Sequence, residues 1–220
     1  MTDGSGDTFR RGDAARADPV ETITDWCEFG DYRAYILMAI ARATHNDDLT
    51  GADEVVHRRV LRDADDVRRQ YDDLRALLTR HDLVFRIYLT VNARNTLDAY
   101  FEFRDEMNGW IRDLVAGDDH AAPKLGEIDS RWKSALHSPT VRDDQYFQFD
   151  VDDVTEAEIQ TFTAALETQT TVASTRATPN GYHVLTEPFN YTEWEPPVAY
   201  DDLDTDGQVF VEEIDASRSE

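Results

Sequence analysis

Apolar and polar positions alternate with different periods along the chain, and the periods predict its elements. Residues 32–43, YRAYILMAIARA, form the first strong apolar segment. Its run of Tyr35, Ile36, Leu37 and Ile40 suits a buried strand or a buried helix, and periodicity does not choose between them. Asp63 can N-cap a helix in which Val67, Tyr71, Leu74 and Leu78 recur at helical spacing. Residues 83–92, LVFRIYLTVN, alternate and are β-branched, which predicts a strand. Thr96 opens a second helix, with Leu97, Phe101, Trp110, Ile111 and Leu114 assigned to its buried side.

The second half repeats these signals after a looser stretch, 116–144, with a short helix near IDSRWKSALH. QYFQF reads as a strand. Thr155 and Glu158 have the spacing of a capping box, with Val154 and Ile159 placed as a hydrophobic staple, for a helix over 155–168. TTVASTRA and YHVLTEP read as paired strands around a Thr-Pro-Asn-Gly turn. QVFVEEI is a last strand. Helices and strands in this order give an α+β or α/β protein. Residues 1–20 read as a disordered acidic lead-in and 215–220 as a frayed tail, leaving 21–214 as a single domain.

Charge changes the picture. Asp and Glu total 46 against 22 Lys and Arg, a formal net charge of −24, and only Lys124 and Lys133 are lysines. This style resembles the proteomes of salt-loving archaea and their viruses. In molar salt the Debye length falls to ~3 Å and such self-repulsion is screened. Overall acidity therefore does not exclude a nucleic-acid partner, and the positions of the arginines decide. Arg58, Arg59, Arg62, Arg68, Arg69 and Arg75 alternate with Asp and read as the solvated face of the first helix. The single cysteine, Cys27, excludes an intrachain disulfide and cysteine-based zinc spacings, and reads as structural. With no long apolar run, the expectation is a cytoplasmic protein with no membrane partner. P-loop, dinucleotide-binding and hydrolase-elbow motifs do not occur.

The candidate chemistry lies in YFQFDVDD and TPNGYHVL. Alternation in a strand puts Asp150 and Asp152 on one face, with Cα atoms ~6.5–7 Å apart. Two such carboxylates suit a hard divalent cation. A chain this acidic also makes D-x-D by chance, and DDLDTDG at 201–207 reads as a solvated loop. His183 sits between Tyr182 and Val184, whose side chains point to the opposite face. Behind it the turn offers a hydroxyl, an amide and backbone N–H groups from Thr178, Asn180 and Gly181. Arg176, Arg131 and Lys133 are the nearby cations in sequence, and Arg94 follows Asn92. Trp132 is open to base stacking or core, whereas Trp110 falls on an apolar stripe and reads as core.

The hFDhD strand, the capped helix, the next strand and the T-x-x-G-x-H turn together resemble the archaeo-eukaryotic primase superfamily, in particular its small plasmid and viral primase-polymerases. FRIYLTVNARN adds a weaker match, a strand ending in Asn92, so that the resemblance covers roughly residues 84–190. It implies an N-terminal αβ unit, about 30–115, packed on an RRM-like mixed sheet with flanking helices, about 140–214, with the active site in the cleft between. It implies template-directed nucleotidyl transfer using Mg²⁺ or Mn²⁺. Asp150 and Asp152 would be metal ligands and, with His183, catalytic. Thr178, Asn180, Gly181, Arg176, Lys133, Arg131 and Asn92 would bind nucleotide. The superfamily's third acid has Glu212, or one of Asp202 and Asp204, as a candidate. Expected partners are nucleoside triphosphates, single-stranded or primed DNA, and a helicase or other replication protein. The alternative is a catalytically inactive primase-fold protein that binds nucleic acid or protein.

Overall fold

The computed structural model describes residues 18–46, 49–50, 54–143 and 145–215. The expected lead-in and tail therefore lie outside the described residues, except at their inner ends. There the lead-in is corrected, because a helix begins at Pro19. Asp18 caps α1 (Pro19–Trp26) by accepting from the Val20 N–H, and Val20 and Ile23 are buried.

The ambiguous first segment is strand β1 (Arg33–Arg42). It pairs with β2 (Glu54–Leu61) on one side and β3 (Val84–Thr90) on the other, and both its faces are covered. Burial on both faces explains an apolar run with no period. β4 (Arg94–Asn95) pairs with the start of β1, and β9 (Gln208–Asp215) pairs with β3. This first sheet runs β2-β1-β3-β9. β2 was not anticipated, because His57-Arg58-Arg59 interrupts its apolar alternation. Arg58 and Arg59 consequently belong to a strand, not to the helix face expected for them.

Helix α2 (Ala64–Leu78) is capped by Asp63, whose side chain accepts from the Asp66 N–H. With α1 it covers the face bearing Tyr35, Leu37 and Ala39, through Val67, Tyr71, Leu74 and Leu78. On the opposite face Ala34, Ile36, Met38 and Val60 pack against Ala99 of α3 (Thr96–Val115) and Leu136 of α5 (Ile128–Leu136). Asn95 caps α3 by accepting from the N–H groups of Leu97 and Asp98. The short α4 (Ala122–Gly126) precedes α5. Phe103, Met107, Trp110 and Leu114 form the inner face of α3, against Ala121, Leu125 and Trp132. Trp110 is thus a core side chain, and Trp132 packs half-buried against the same cluster. Leu97, Phe101 and Ile111 were expected with them, but they are 39%, 44% and 44% exposed on the other side of the helix.

The second sheet contains β5 (Phe147–Asp152), β6 (Val172–Ala177), β7 (Gly181–Thr186) and β8 (Asp202–Asp204), in the order β6-β7-β5-β8. Helix α6 (Glu156–Glu167) begins in the expected capping box. It buries Ile159, Phe162 and Leu166 against Phe149, Val151, Tyr182 and Val184. Phe149 also meets Trp194 and Tyr200 edge-on, at ring separations of 5.7 and 5.2 Å.

The protein is therefore α+β, with six α-helices and two sheets among the described residues. Every ladder among the described strands is antiparallel, which corrects the expectation of a mixed sheet. The last strand, β9, returns to the first sheet instead of completing the second. The halves meet through Val91, Leu185 and Val209, with Trp26 and Tyr146 against them.

Candidate active site

Phe149 and Val151 point to α6, so alternation turns Asp150 and Asp152 to the opposite face of β5. That face also carries Leu185, which packs against Val91 and Val209 of the first half. The ladders then align a row of side chains across four strands. Arg176 of β6 lies opposite His183 of β7, His183 opposite Asp150 of β5, and Asp150 opposite Asp202 of β8. Leu203 pairs with Phe149 and packs in the helix-side core, which leaves Asp202 on the face of Asp150. Asp201 extends the cluster. Its N–H donates to the Asp150 carbonyl and its Oδ2 accepts from the Asp152 N–H, both at 2.8 Å.

The turn behind this row holds its register. Thr178 N–H donates to the Gly181 carbonyl, and Gly181 N–H donates to Thr178 Oγ1 at 3.0 Å. A Cβ at Gly181 would fall 2.1 Å from the Val151 carbonyl oxygen, so only glycine lets β7 approach β5 this closely. Asn180 is exposed, and its carbonyl accepts from the N–H of Asp153.

The electrostatics of the row are unbalanced. Burial raises the Asp150 carboxyl above the usual range, and Asp201 and Asp202 add to this. Burial likewise raises Asp152, followed by repulsion from Asp150, Asp201 and Asp153, with His183 opposing. Burial pushes His183 down to about 4, so its ring is neutral at pH 7. Its Nε2 lies 3.5 Å from Asp150 Oδ1, beyond a good hydrogen bond. Asp150 Oδ1, His183 Nδ1 and Arg176 Nε are all buried without a hydrogen-bond partner among the described residues. Arg176 lies over the Trp26 ring, 5.8 Å from its centroid. Buried polar atoms ordinarily find partners, and three of the nine unpartnered side-chain atoms among the described residues fall in this one row.

The other expected site residues do not join this row. Glu212 sits on β9 of the first sheet, opposite Ile87, and accepts a hydrogen bond from the Tyr71 hydroxyl. It belongs to the packing of α2. Arg131 and Lys133 lie on α5 and reach back one turn to Glu127 and Asp129. Asn92 is fully buried; its Oδ1 accepts from Tyr146 N–H and its Nδ2 faces the carbonyls of Tyr146 and Thr205. Asn92 therefore ties the two halves together. Arg94, also fully buried, pairs with Asp206 at 2.9 Å. Cys27 is buried and free, as expected of a structural thiol.

Asp202 was among the sequence candidates for a third acid, but Asp201 was missed. The signal was present in Asp202-Leu203-Asp204, where one apolar residue between acids marks a strand rather than a loop. Among the described residues no group of three or more His, Cys, Asp or Glu converges as a metal-ligand set. No helix among them is long and apolar enough to cross a membrane. No protein-family model, no curated protein and no solved structure matches this chain.

Proposed function

We propose that the protein is a primase-polymerase-like nucleotidyltransferase, acting on nucleoside triphosphates and a single-stranded or primed DNA. The observation that carries this reading is the row Arg176–His183–Asp150–Asp202 on one sheet face, with Asp152 beside it. The strand order supports it. α6 crosses from β5 to β6, β7 inserts between them, and β8 flanks β5, an order similar to that of an RRM-type sheet. A 3₁₀ turn, Tyr191–Glu193, stands where such a sheet has its second crossover helix.

On this reading Mg²⁺ or Mn²⁺ would be held by Asp150 and Asp152, with Asp202 on the same sheet face. Asp150, Asp152 and Asp202 offer hard oxygen atoms, Asp150 Oδ1 has no hydrogen-bond partner among the described residues, and the raised carboxyls would gain from a cation that relieves their repulsion. When bound, the metal would neutralise charge on the transferring phosphate. The remaining chemistry belongs to the chain. Neutral His183 keeps one ring N–H to donate to a phosphate oxygen without bringing a charge into the acid cluster. Arg176 supplies a fixed cation at the end of the row. The Thr178 hydroxyl, whose oxygen already accepts from Gly181, has its hydrogen free to donate.

Primer synthesis and primer extension with Mn²⁺ in molar KCl test the proposal. The wild type should elongate or make primers, and folded Asp150→Asn and Asp202→Asn variants should not. Metal-dependent triphosphate binding without any product would instead favour the inactive, nucleic-acid-binding alternative.

A further inference from the structure

Helix α3 carries two apolar faces. The inner one, Ala99, Phe103, Met107, Trp110 and Leu114, is accounted for by α4, α5 and the first sheet. The outer one reads Leu97, Phe101, Arg104, Asn108, Ile111 and Val115, with successive spacings of 4, 3, 4, 3 and 4 residues. Such spacing is the a/d seam of a coiled coil. Val115 is 85% exposed and Phe101 and Ile111 each 44%, and Tyr100 adds a further exposed ring at the N-terminal end. The seam runs ~27 Å along the helix. An ordinary surface helix presents one apolar stripe, so the second needs an explanation.

The seam is self-complementary when reversed. A two-fold axis across its middle, between Arg104 and Asn108, sets Leu97 against Val115 and Phe101 against Ile111 of a second copy. Arg104 then meets Asn108, which keeps polar next to polar. Along the flank, Asp98 of each copy comes beside Arg112 of the other, opposite in charge at both ends. Asp105 approaches its own counterpart at the axis, but Arg104 already lies 2.7 Å from it as a neutralising partner. Parallel packing would set Asp98, Asp105 and Arg112 at like heights and would lose the pairing of opposite charges.

We propose that two copies of this chain associate through antiparallel packing of their α3 helices along this seam. The contact is isologous, so it closes at a dimer. It does not depend on the catalytic reading, because none of its residues touches the row of side chains on the second sheet.

Sedimentation velocity and cysteine cross-linking test it. The wild type should show a concentration-dependent dimer. Phe101→Glu with Ile111→Glu should weaken that dimer more than ~10-fold, with unchanged circular dichroism, because both side chains are exposed in the monomer. Leu97→Cys protein mixed with Val115→Cys protein should form a disulfide dimer, while neither should cross-link with itself. Wild type, with Cys27 buried, is the control. A wild type that stays monomeric, a dimer unaffected by the two glutamates, or self-linking of each single-cysteine protein would overturn the proposal. A monomer would leave the seam to a different partner.

Discussion

His183 and Asp150 face each other across β7 and β5, with Nε2 of the ring 3.5 Å from Oδ1 of the carboxylate, yet they form no strong bond. The imidazole is too buried to take up a second proton at neutral pH, and the carboxyl is held high by burial and by Asp201 and Asp202. Each group is therefore in a poor state on its own. A divalent cation beside Asp150 and a phosphate beside His183 would improve both.

His183 should titrate late. Its folded value, about 4, lies below the ~6.5 of an unfolded histidine. The unfolded chain therefore binds the proton first as pH falls from ~6.5, and through this group the native state loses stability down to about pH 4. An NMR titration should show the His183 ring neutral through pH 5.5. A midpoint near 6.5 would contradict its burial.

Asp150→Asn should raise the melting temperature of the metal-free protein, since it removes one member of a mutually repelling cluster. Saturating Mn²⁺ should reverse the order. The wild type gains RT ln(1 + [L]/Kd) from a ligand that the variant binds poorly. Differential scanning fluorimetry with and without Mn²⁺ reads both halves of this expectation.

Glu212 and Asp202 separate two readings of the third acid. Glu212→Gln should leave Mn²⁺ affinity unchanged, because its partner is the Tyr71 hydroxyl on α2. Asp202→Asn should weaken Mn²⁺ binding several-fold, because it stands opposite Asp150. Isothermal calorimetry on the two variants distinguishes them.

Asn92→Ala should cost ~2–4 kcal/mol in urea unfolding, from the loss of bonds to Tyr146 and Thr205 in a buried setting. A nucleotide-contacting role would instead leave stability intact and weaken triphosphate binding. Gly181→Ala should cost at least ~2 kcal/mol, since its methyl group would displace β5 backbone.

Much of this was legible in the chain. The capping box, the hairpin at Thr178–Gly181 and the face shared by Asp150 and Asp152 are local consequences of spacing, and they stand as read. The opposition of His183 to Asp150 needed the register of two strands about thirty residues apart in the chain, which only the assembled sheet fixes. β9 illustrates the limit. QVFVEEI announces a strand but not its partner, and its pairing with β3 takes Glu212 away from the acids it was expected to join. Helix α3 shows another limit. Apolar residues on two adjoining faces look like a single broad stripe until one face is seen to pack and the other to stand in solvent. Polar buried residues were the hardest to read, because Asn92 and Arg94 act through long-range partners at Tyr146, Thr205 and Asp206.

On the proposed function, Asp150 and Asp152 hold a metal that brings a triphosphate to the face of His183. Calorimetry of nucleoside triphosphate binding in molar KCl, with and without Mn²⁺, tests it on the wild type and on Asp150→Ala/Asp152→Ala. Binding that requires Mn²⁺ and vanishes in the double variant is the predicted result. Triphosphate binding that ignores both the metal and the two carboxylates, or no binding to the wild type at all, would contradict it.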